Sequence, residues 1–251
     1  MQLWISPLIA FLLGSIPFGL IIAKLKGIDI RAHGSGNIGA TNVLRVVGKK
    51  YGITCLILDA LKGYLPVVLA LNLVQIENKT VMPMLGFLQD FALHLPREQQ
   101  LTGQLVHVLT AFCAIIGHNF SPWVGFKGGK GIATSAGVLI ALMPFAIILL
   151  IFVWLLTFLT TRYVALASIV AAAALPILTH IGARFHHINN DKTQPTLWEA
   201  GTWNKPLFVF TIIIAVLAIW KHRSNIERLR AGTENRFERK RKKVHSDPKA
   251  S

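Results

Sequence analysis

Apolar residues run along this chain in long blocks separated by short polar islands. Seven blocks can be drawn, at 3–23, 51–74, 104–121, 128–143, 144–160, 163–182 and 205–221. Most come near the ~20 residues that carry a helix, rising ~1.5 Å per residue, across a ~30 Å hydrocarbon layer. The fourth and fifth are continuous in hydropathy, and Pro144 lies in the middle of 128–160. That stretch is too long for one untilted crossing, and proline breaks or kinks a helix because it lacks the N–H and crowds the preceding turn. Two readings compete: one long kinked helix, or a short helix turning back at Met143-Pro144.

The distribution of positive charge decides between them, because cytoplasmic loops carry the excess of Lys and Arg. If the chain turns back, Lys24, Lys26, Arg31, Arg45, Lys49, Lys50, Lys127, Lys130, Arg162 and the basic C-terminal tail share one side. Loops 75–103 and 183–204, where acidic and basic residues nearly cancel, fall on the other. A single crossing would put the tail opposite the first polar island. The pattern therefore predicts an all-α integral membrane protein, a seven-transmembrane-helix bundle with the N-terminus outside and the C-terminus cytoplasmic. A membrane domain over 1–234 is followed by a basic cytoplasmic tail over 235–251.

Composition agrees. The 251 residues are 53% hydrophobic and 15% charged, and mean hydropathy is +0.54. Net charge is +15, and from Lys221 onward eleven Lys and Arg stand against four Asp and Glu. Beside a bilayer such a tail is read as attraction to anionic membrane lipid rather than to nucleic acid. Cys55 and Cys113, each inside an apolar block, read as small buried hydrophobes, with no disulfide framework or metal-ligand spacing. The first block lacks a basic leader and a cleavage site, so it reads as a retained helix. Val81–Leu95 has the spacing of an interfacial amphipathic helix, weakened by Pro83 and Gly86.

The polar islands carry the candidate chemistry. The first runs from Gly34 to Gly48 and contains Gly34-Ser35-Gly36-Asn37-Ile38-Gly39-Ala40-Thr41-Asn42 and Arg45. Closely spaced glycines let backbone N–H groups converge on an anion. Ser35, Asn37, Thr41 and Asn42 add short polar groups, and Arg45 adds a planar charged fork suited to phosphate. The second island contains Lys127-Gly128-Gly129-Lys130-Gly131 just before a helical block. Two lysines at a helix N-terminus favour an anion by charge and by dipole. The third is Lys221-His222-Arg223-Ser224-Asn225, in which His222 and Asn225 share a helix face. Asp59 and Lys62, one turn apart inside the second block, read as an ion pair tying that helix to its neighbours. Ser168 is a candidate contact in the sixth block, although serine on such a helix commonly bonds its own backbone.

His186 and Asp191 form H-x-x-x-x-D, the pattern of a large class of glycerolipid acyltransferases. It lies in a loop placed outside, away from the glycine-rich islands, and is read as a chance match. A transporter or channel for a phosphorylated anion is the competing class. Such proteins place broken helices near the midplane in two corresponding halves. No such duplication is visible here, and the islands lie at the ends of the blocks.

Together the islands resemble the acyl-phosphate:glycerol-3-phosphate acyltransferases of bacterial membranes, the PlsY-type family. The resemblance runs in order from Gly14-Ser15-Ile16-Pro17-Phe18-Gly19 through Gly34–Gly48, Asp59-Ala60-Leu61-Lys62-Gly63, Gly117–Ser135 and Arg162–Ile169 to His222–Leu229. It implies a seven-helix bundle in the cytoplasmic (inner) membrane with its site facing the cytoplasm. The implied reaction moves a fatty acyl group from acyl phosphate to the 1-hydroxyl of glycerol 3-phosphate, giving 1-acylglycerol 3-phosphate. The resemblance implies catalytic roles for Ser35, Arg45, Lys130, His222 and Asn225, with Ser168 a further site position. With the two glycine islands, the expected substrate contacts are Gly34, Gly36, Asn37, Gly39, Thr41, Asn42, Lys127, Gly128, Gly129 and Ser168. No cofactor or metal is expected, and because acyl phosphate is already activated no Cys or Ser nucleophile is required. The proton acceptor is left between His222 and the substrate's own phosphate, and the oligomeric state is left open. Ala165 stands where the family usually has Ser, loops 75–103 and 183–204 are longer than usual, and the tail is long and basic.

Overall fold

The structure, a computed structural model, describes residues 2–77, 83–190 and 205–237. His186 is described only as backbone at the end of a helix, and Asp191 lies outside the described residues. The helices are α1 (Ile5–Ser15), α2 (Phe18–Lys24), α3 (Ala40–Val46), α4 (Lys49–Leu73), α5 (Gln100–Asn119), α6 (Ile132–Leu142), α7 (Pro144–Thr161), α8 (Val164–Asn190), α9 (Lys205–Lys221) and α10 (Arg223–Arg230). Among the described residues five stretches are long and apolar enough to cross a membrane: Ile5–Lys24, Lys49–Leu73, Arg97–Val124, Pro144–Thr161 and Val164–Ile181. A sixth is formed if α9 and α10, bent by 53°, count as one span. The fourth expected block is helical only over the 11 residues of α6, about 16 Å at ~1.5 Å per residue, and so reaches only part way through a ~30 Å core. The chain breaks at Met143 (φ −145°, ψ 61°) and α7 starts on Pro144, where proline's missing N–H costs nothing.

Neighbouring helices pack as α1 on α5, α4 on α6, α7 on α8 and α8 on α9. The main core joins Val67, Ala114, Ile115, Val138, Leu175 and Phe210. By contrast α7 leaves Phe145, Ile148, Phe152 and Leu156 exposed, an apolar face suited to lipid. The first expected span is interrupted at Ile16-Pro17, between α1 and α2. Backbone freed by such a break inside a membrane must find partners. Lys62 Nζ donates to the Ile16 carbonyl at 2.6 Å and Ser121 Oγ to the Ser15 carbonyl at 2.6 Å. Lys62 is also paired with Asp59 at 2.7 Å, so the expected ion pair does tie α4 to its neighbours.

At the far end of α4, β1 (Val74–Ile76) pairs in parallel with β2 (Leu93–Leu95). The expected amphipathic helix over 81–95 is instead a short 3-10 helix, Gly86–Phe91, followed by β2. Asn72 of α4 claims the backbone at its start, donating Nδ2 to the Pro83 carbonyl at 3.0 Å and accepting the Leu85 N–H on Oδ1 at 2.8 Å. Cys55 is buried and Cys113 half-buried.

Candidate active site

The first polar island folds around one side chain. Asn42, 2% exposed, accepts the Ser35 N–H on Oδ1 at 2.9 Å. Its Nδ2 donates to the carbonyls of Ile30 (3.2 Å), His33 (3.0 Å) and Asn37 (2.9 Å). Asn37 Oδ1 accepts the Gly39 N–H at 2.8 Å, and the Gly36 N–H donates to the His33 carbonyl at 3.1 Å. The N–H groups of Ser35, Gly36 and Gly39 are therefore engaged inside the loop. Gly34 and Gly36 have φ of +61° and +68°, and a β carbon at Gly34 would lie 2.2 Å from Asn42 Oδ1. They let the loop close on Asn42.

The second island is also packed against protein. Gly128 and Gly129 lie against the C-terminal end of α5: a β carbon would sit 2.0 Å from the His118 carbonyl oxygen or 2.2 Å from His118 Nε2. Gly129 N–H donates to the His118 carbonyl at 3.2 Å. Their role is close approach between backbone segments. Lys127 points into solvent as an exposed residue.

Side chains from all three islands still converge. A cavity of 420 Å³ is lined at one end by Ser35, Asn37, Gly39, Thr41, Asn42, Arg45, Lys130, His222 and Asn225, and Ser168 lies on its wall. Gly34, Gly36, Lys127, Gly128 and Gly129 are not among its lining residues. Gly131, Ile132 and Ala133 do line it, so the positive end of α6 faces the same space as Lys130. Beyond the polar end the walls turn apolar, with Leu56, Leu139, Leu150, Trp154, Leu175 and Ile214. A phosphate joined to a hydrocarbon chain matches that division.

Lys130 Nζ donates to Asn225 Oδ1. Asn225 Nδ2 donates to Glu234 Oε1 at 2.9 Å, and Arg228 Nε to Glu234 Oε2 at 2.7 Å. Burial pushes Lys130 down to about 8, helped by Arg228 and Arg45 and opposed by Glu234. His222 Nδ1 lies 2.7 Å from the Ala218 carbonyl. A carbonyl only accepts, so Nδ1 carries the proton and Nε2 is the nitrogen left to address a ligand. Ser168 Oγ donates to the Val164 carbonyl at 2.9 Å and accepts from Trp154 Nε1 at 3.2 Å. Its hydroxyl proton is therefore committed to its own helix, and the residue orients Trp154 on the cavity wall. Ala165, also on that wall, offers no hydroxyl in its place.

Glu234 was not singled out from sequence. The only available signal was an acid isolated in a basic run, at the edge of the expected tail. Residues 235–237, on the tail side of that edge, are tied to the body. Arg45 Nη2 donates to the Asn235 carbonyl at 3.2 Å, and Phe237 N–H to the Arg162 carbonyl at 3.0 Å. The Phe237 ring lies 5.0 Å from the Arg45 guanidinium and 5.7 Å, edge-on, from Phe158.

The chain matches the glycerol-3-phosphate acyltransferase family over residues 4–232. It is 43% identical over 234 residues to the glycerol-3-phosphate acyltransferase of Trichlorobacter lovleyi, covering 93% of this chain and 96% of that one. It is 40% identical over 230 residues to that of Geotalea daltonii, covering 92% and 95%. Among solved structures it is similar to PlsY (YgiH), an integral membrane glycerol 3-phosphate acyltransferase. The glycerol 3-phosphate form superposes with a TM-score of 0.69 at 35% identity, covering 95% of this chain and 96% of that one. The lysophosphatidic acid form gives 0.67 at the same identity and coverage. With its several apolar spans and this agreement over nearly the whole length, the chain belongs to the glycerol-3-phosphate acyltransferase family of bacterial membrane proteins.

Proposed function

We propose that this protein acylates the 1-hydroxyl of glycerol 3-phosphate with acyl phosphate as donor, giving 1-acylglycerol 3-phosphate, the first step of phospholipid synthesis. The observation that carries the reading is one cavity with Arg45 and Lys130 at its polar end and apolar walls beyond. Two phosphates must approach each other there, and fixed cations offset their repulsion. Ser35, Thr41 and Asn225 orient the glycerol phosphate, while the acyl chain follows the apolar walls. The glycerol 1-oxygen attacks the acyl carbon, the carbon–oxygen bond to the donor phosphate breaks, and inorganic phosphate leaves. The hydroxyl proton passes to His222 Nε2 or to a phosphate oxygen of the substrate. No covalent enzyme intermediate is needed, because the donor is activated and alignment supplies much of the rate.

Purified protein given radiolabelled glycerol 3-phosphate and acyl phosphate is expected to form a lipid-soluble product. Acyl-CoA as sole donor is expected to give little, since one compact cationic end joined to apolar walls suits a phosphate carried directly on the acyl group. Comparable turnover with acyl-CoA would overturn the donor assignment. Uptake of label into vesicles without product would restore the transporter reading.

We also place seven membrane segments, α6 among them, with the N-terminus outside and the site on the cytoplasmic face of the inner membrane. The charge asymmetry supports this orientation. In a protein lacking Cys55 and Cys113, Lys50→Cys is expected to resist an impermeant thiol reagent added to intact cells, while Asp90→Cys reacts. Both positions are exposed. The reverse labelling pattern would refute the orientation.

A further inference from the structure

Beneath the polar end of the cavity lies a buried polar cluster to which the proposed steps give no role. Asp59 and His118 both line the cavity, yet their side chains are only 3% and 5% exposed. Asp59 is held by Lys62, which is itself anchored on the Ile16 carbonyl. Asp59 Oδ1 faces His118 Nδ1 at 3.7 Å. On its other side the imidazole meets the second island. A β carbon on Gly129 would find His118 Nε2 at 2.2 Å, Cε1 at 3.0 Å and Cδ2 at 3.2 Å, so the ring fills the space beside Gly129. The His118 carbonyl takes the Gly129 N–H. Buried ionic groups are costly inside a membrane and are kept where they fix an arrangement.

We propose that His118 is a positioning residue for Lys130: wedged between Asp59 and Gly129, its ring sets where the Gly128–Gly131 turn runs and so where the Lys130 ammonium sits. This deepens the reading of Lys130 as a phosphate ligand and rests on it. The groups that face Lys130 are Arg45 from α3, His222 from the α9–α10 junction, Asn225 and Arg228 from α10, and Glu234 after it. His118 is absent from that set, and it acts only through the backbone of the turn.

The test compares His118→Ala, His118→Gln, Gly129→Ala, the double variant His118→Ala/Gly129→Ala, and Lys130→Ala. Each is purified folded, and kcat, KM for glycerol 3-phosphate and the pH profile of kcat/KM are measured. Both His118→Ala and Gly129→Ala are expected to raise KM and lower kcat/KM about tenfold or more, the loss of one well-placed charged contact. The alkaline limb set by Lys130 is expected to move from near 8 toward the ordinary lysine range of about 10.4, as the freed ammonium gains water. His118→Gln should recover part of the loss. The double variant should be no worse than His118→Ala, because the new methyl occupies space the ring has left. Losses that multiply would instead mean independent sites. Near-native kinetics and an unmoved limb in both single variants would overturn the proposal. If His118→Ala does not fold, the shift of the limb in Gly129→Ala decides alone. Should Lys130→Ala keep full activity, the underlying reading of the site fails. Should Lys130→Ala be inactive while His118→Ala stays normal, only the positioning role fails.

Discussion

Arg45→Ala and Lys130→Ala are each expected to lower kcat/KM by about tenfold to a hundredfold or more. A charge-assisted contact is worth roughly 1.5–3 kcal/mol, and about 1.4 kcal/mol is tenfold. Arg45 has two tasks, which places it at the upper end. Its guanidinium lines the polar end of the cavity and also holds the Asn235 carbonyl and the Phe237 ring. Arg45→Lys should therefore also be impaired, because a point charge cannot replace a planar fork. Lys127→Ala is expected to stay within about twofold of the native enzyme, as surface substitutions away from such features usually change little. Lys127 is exposed and stands off the cavity wall.

Lys130 makes the effect pH-dependent, and its sign follows from its burial. An exposed lysine keeps its charge to about pH 10. Lys130, pushed down to about 8, is charged below that value and loses its charge as pH rises through it. kcat/KM reports the free enzyme, so it should fall on the alkaline side of about 8, and Lys130→Arg should remove that limb. If Arg45→Ala and Lys130→Ala both retain near-native kcat/KM, the two islands do not form the phosphate site. A profile flat to pH 10 would show that Lys130 is not the group that titrates.

The long apolar blocks and the break before Pro144 were legible in the sequence because both are local: hydropathy runs and a missing N–H need no knowledge of partners. Which polar residues would gather was legible for a similar reason, since Arg45, Lys130, His222 and Asn225 are costly at the edge of an apolar segment, and they line one cavity. What stayed hidden was the role of each polar group once a distant partner had claimed it. Asn42 reads from sequence as a substrate contact, and its three polar contacts on Nδ2 and the one on Oδ1, which close its own loop, could not be foreseen. Gly128 and Gly129 read as a phosphate nest, and no local pattern showed that they also lie against the end of α5. The break at Ile16 is stabilised by Lys62, 46 residues on, and Lys130 meets Asn225 across 95. Glu234 was invisible because its meaning comes only from the Asn225 and Arg228 side chains that it accepts from.

Substituting Gly137 is expected to damage stability and activity together, because two helices meet there backbone to backbone. A β carbon at Gly137 on α6 would lie 1.9 Å from the Ala60 carbonyl oxygen on α4. Reciprocally, one at Gly63 on α4 would lie 2.2 Å from the Thr134 carbonyl oxygen on α6. Small residues permit this approach, which lets dispersion hold helices together where lipid offers no hydrophobic drive. The obstacle is main chain on both sides, so no rotamer change can relieve it and the helices must separate. Overpacking of this kind costs about 1–3 kcal/mol, occasionally more. For a chain of this size that is roughly a 2–12 °C drop in Tm. Activity should fall as well, since α6 begins directly after Lys130 and Gly131, and a shift of its first turn moves the ammonium. Gly137→Ala should show both effects and Gly137→Leu should show them more strongly. Gly86→Ala is the control, having nothing within 4 Å of the added carbon. Thermal unfolding of the purified variants, read beside kcat, decides. A Gly137→Leu protein that melts with the native one and turns over normally would mean that α4 and α6 do not pack as described.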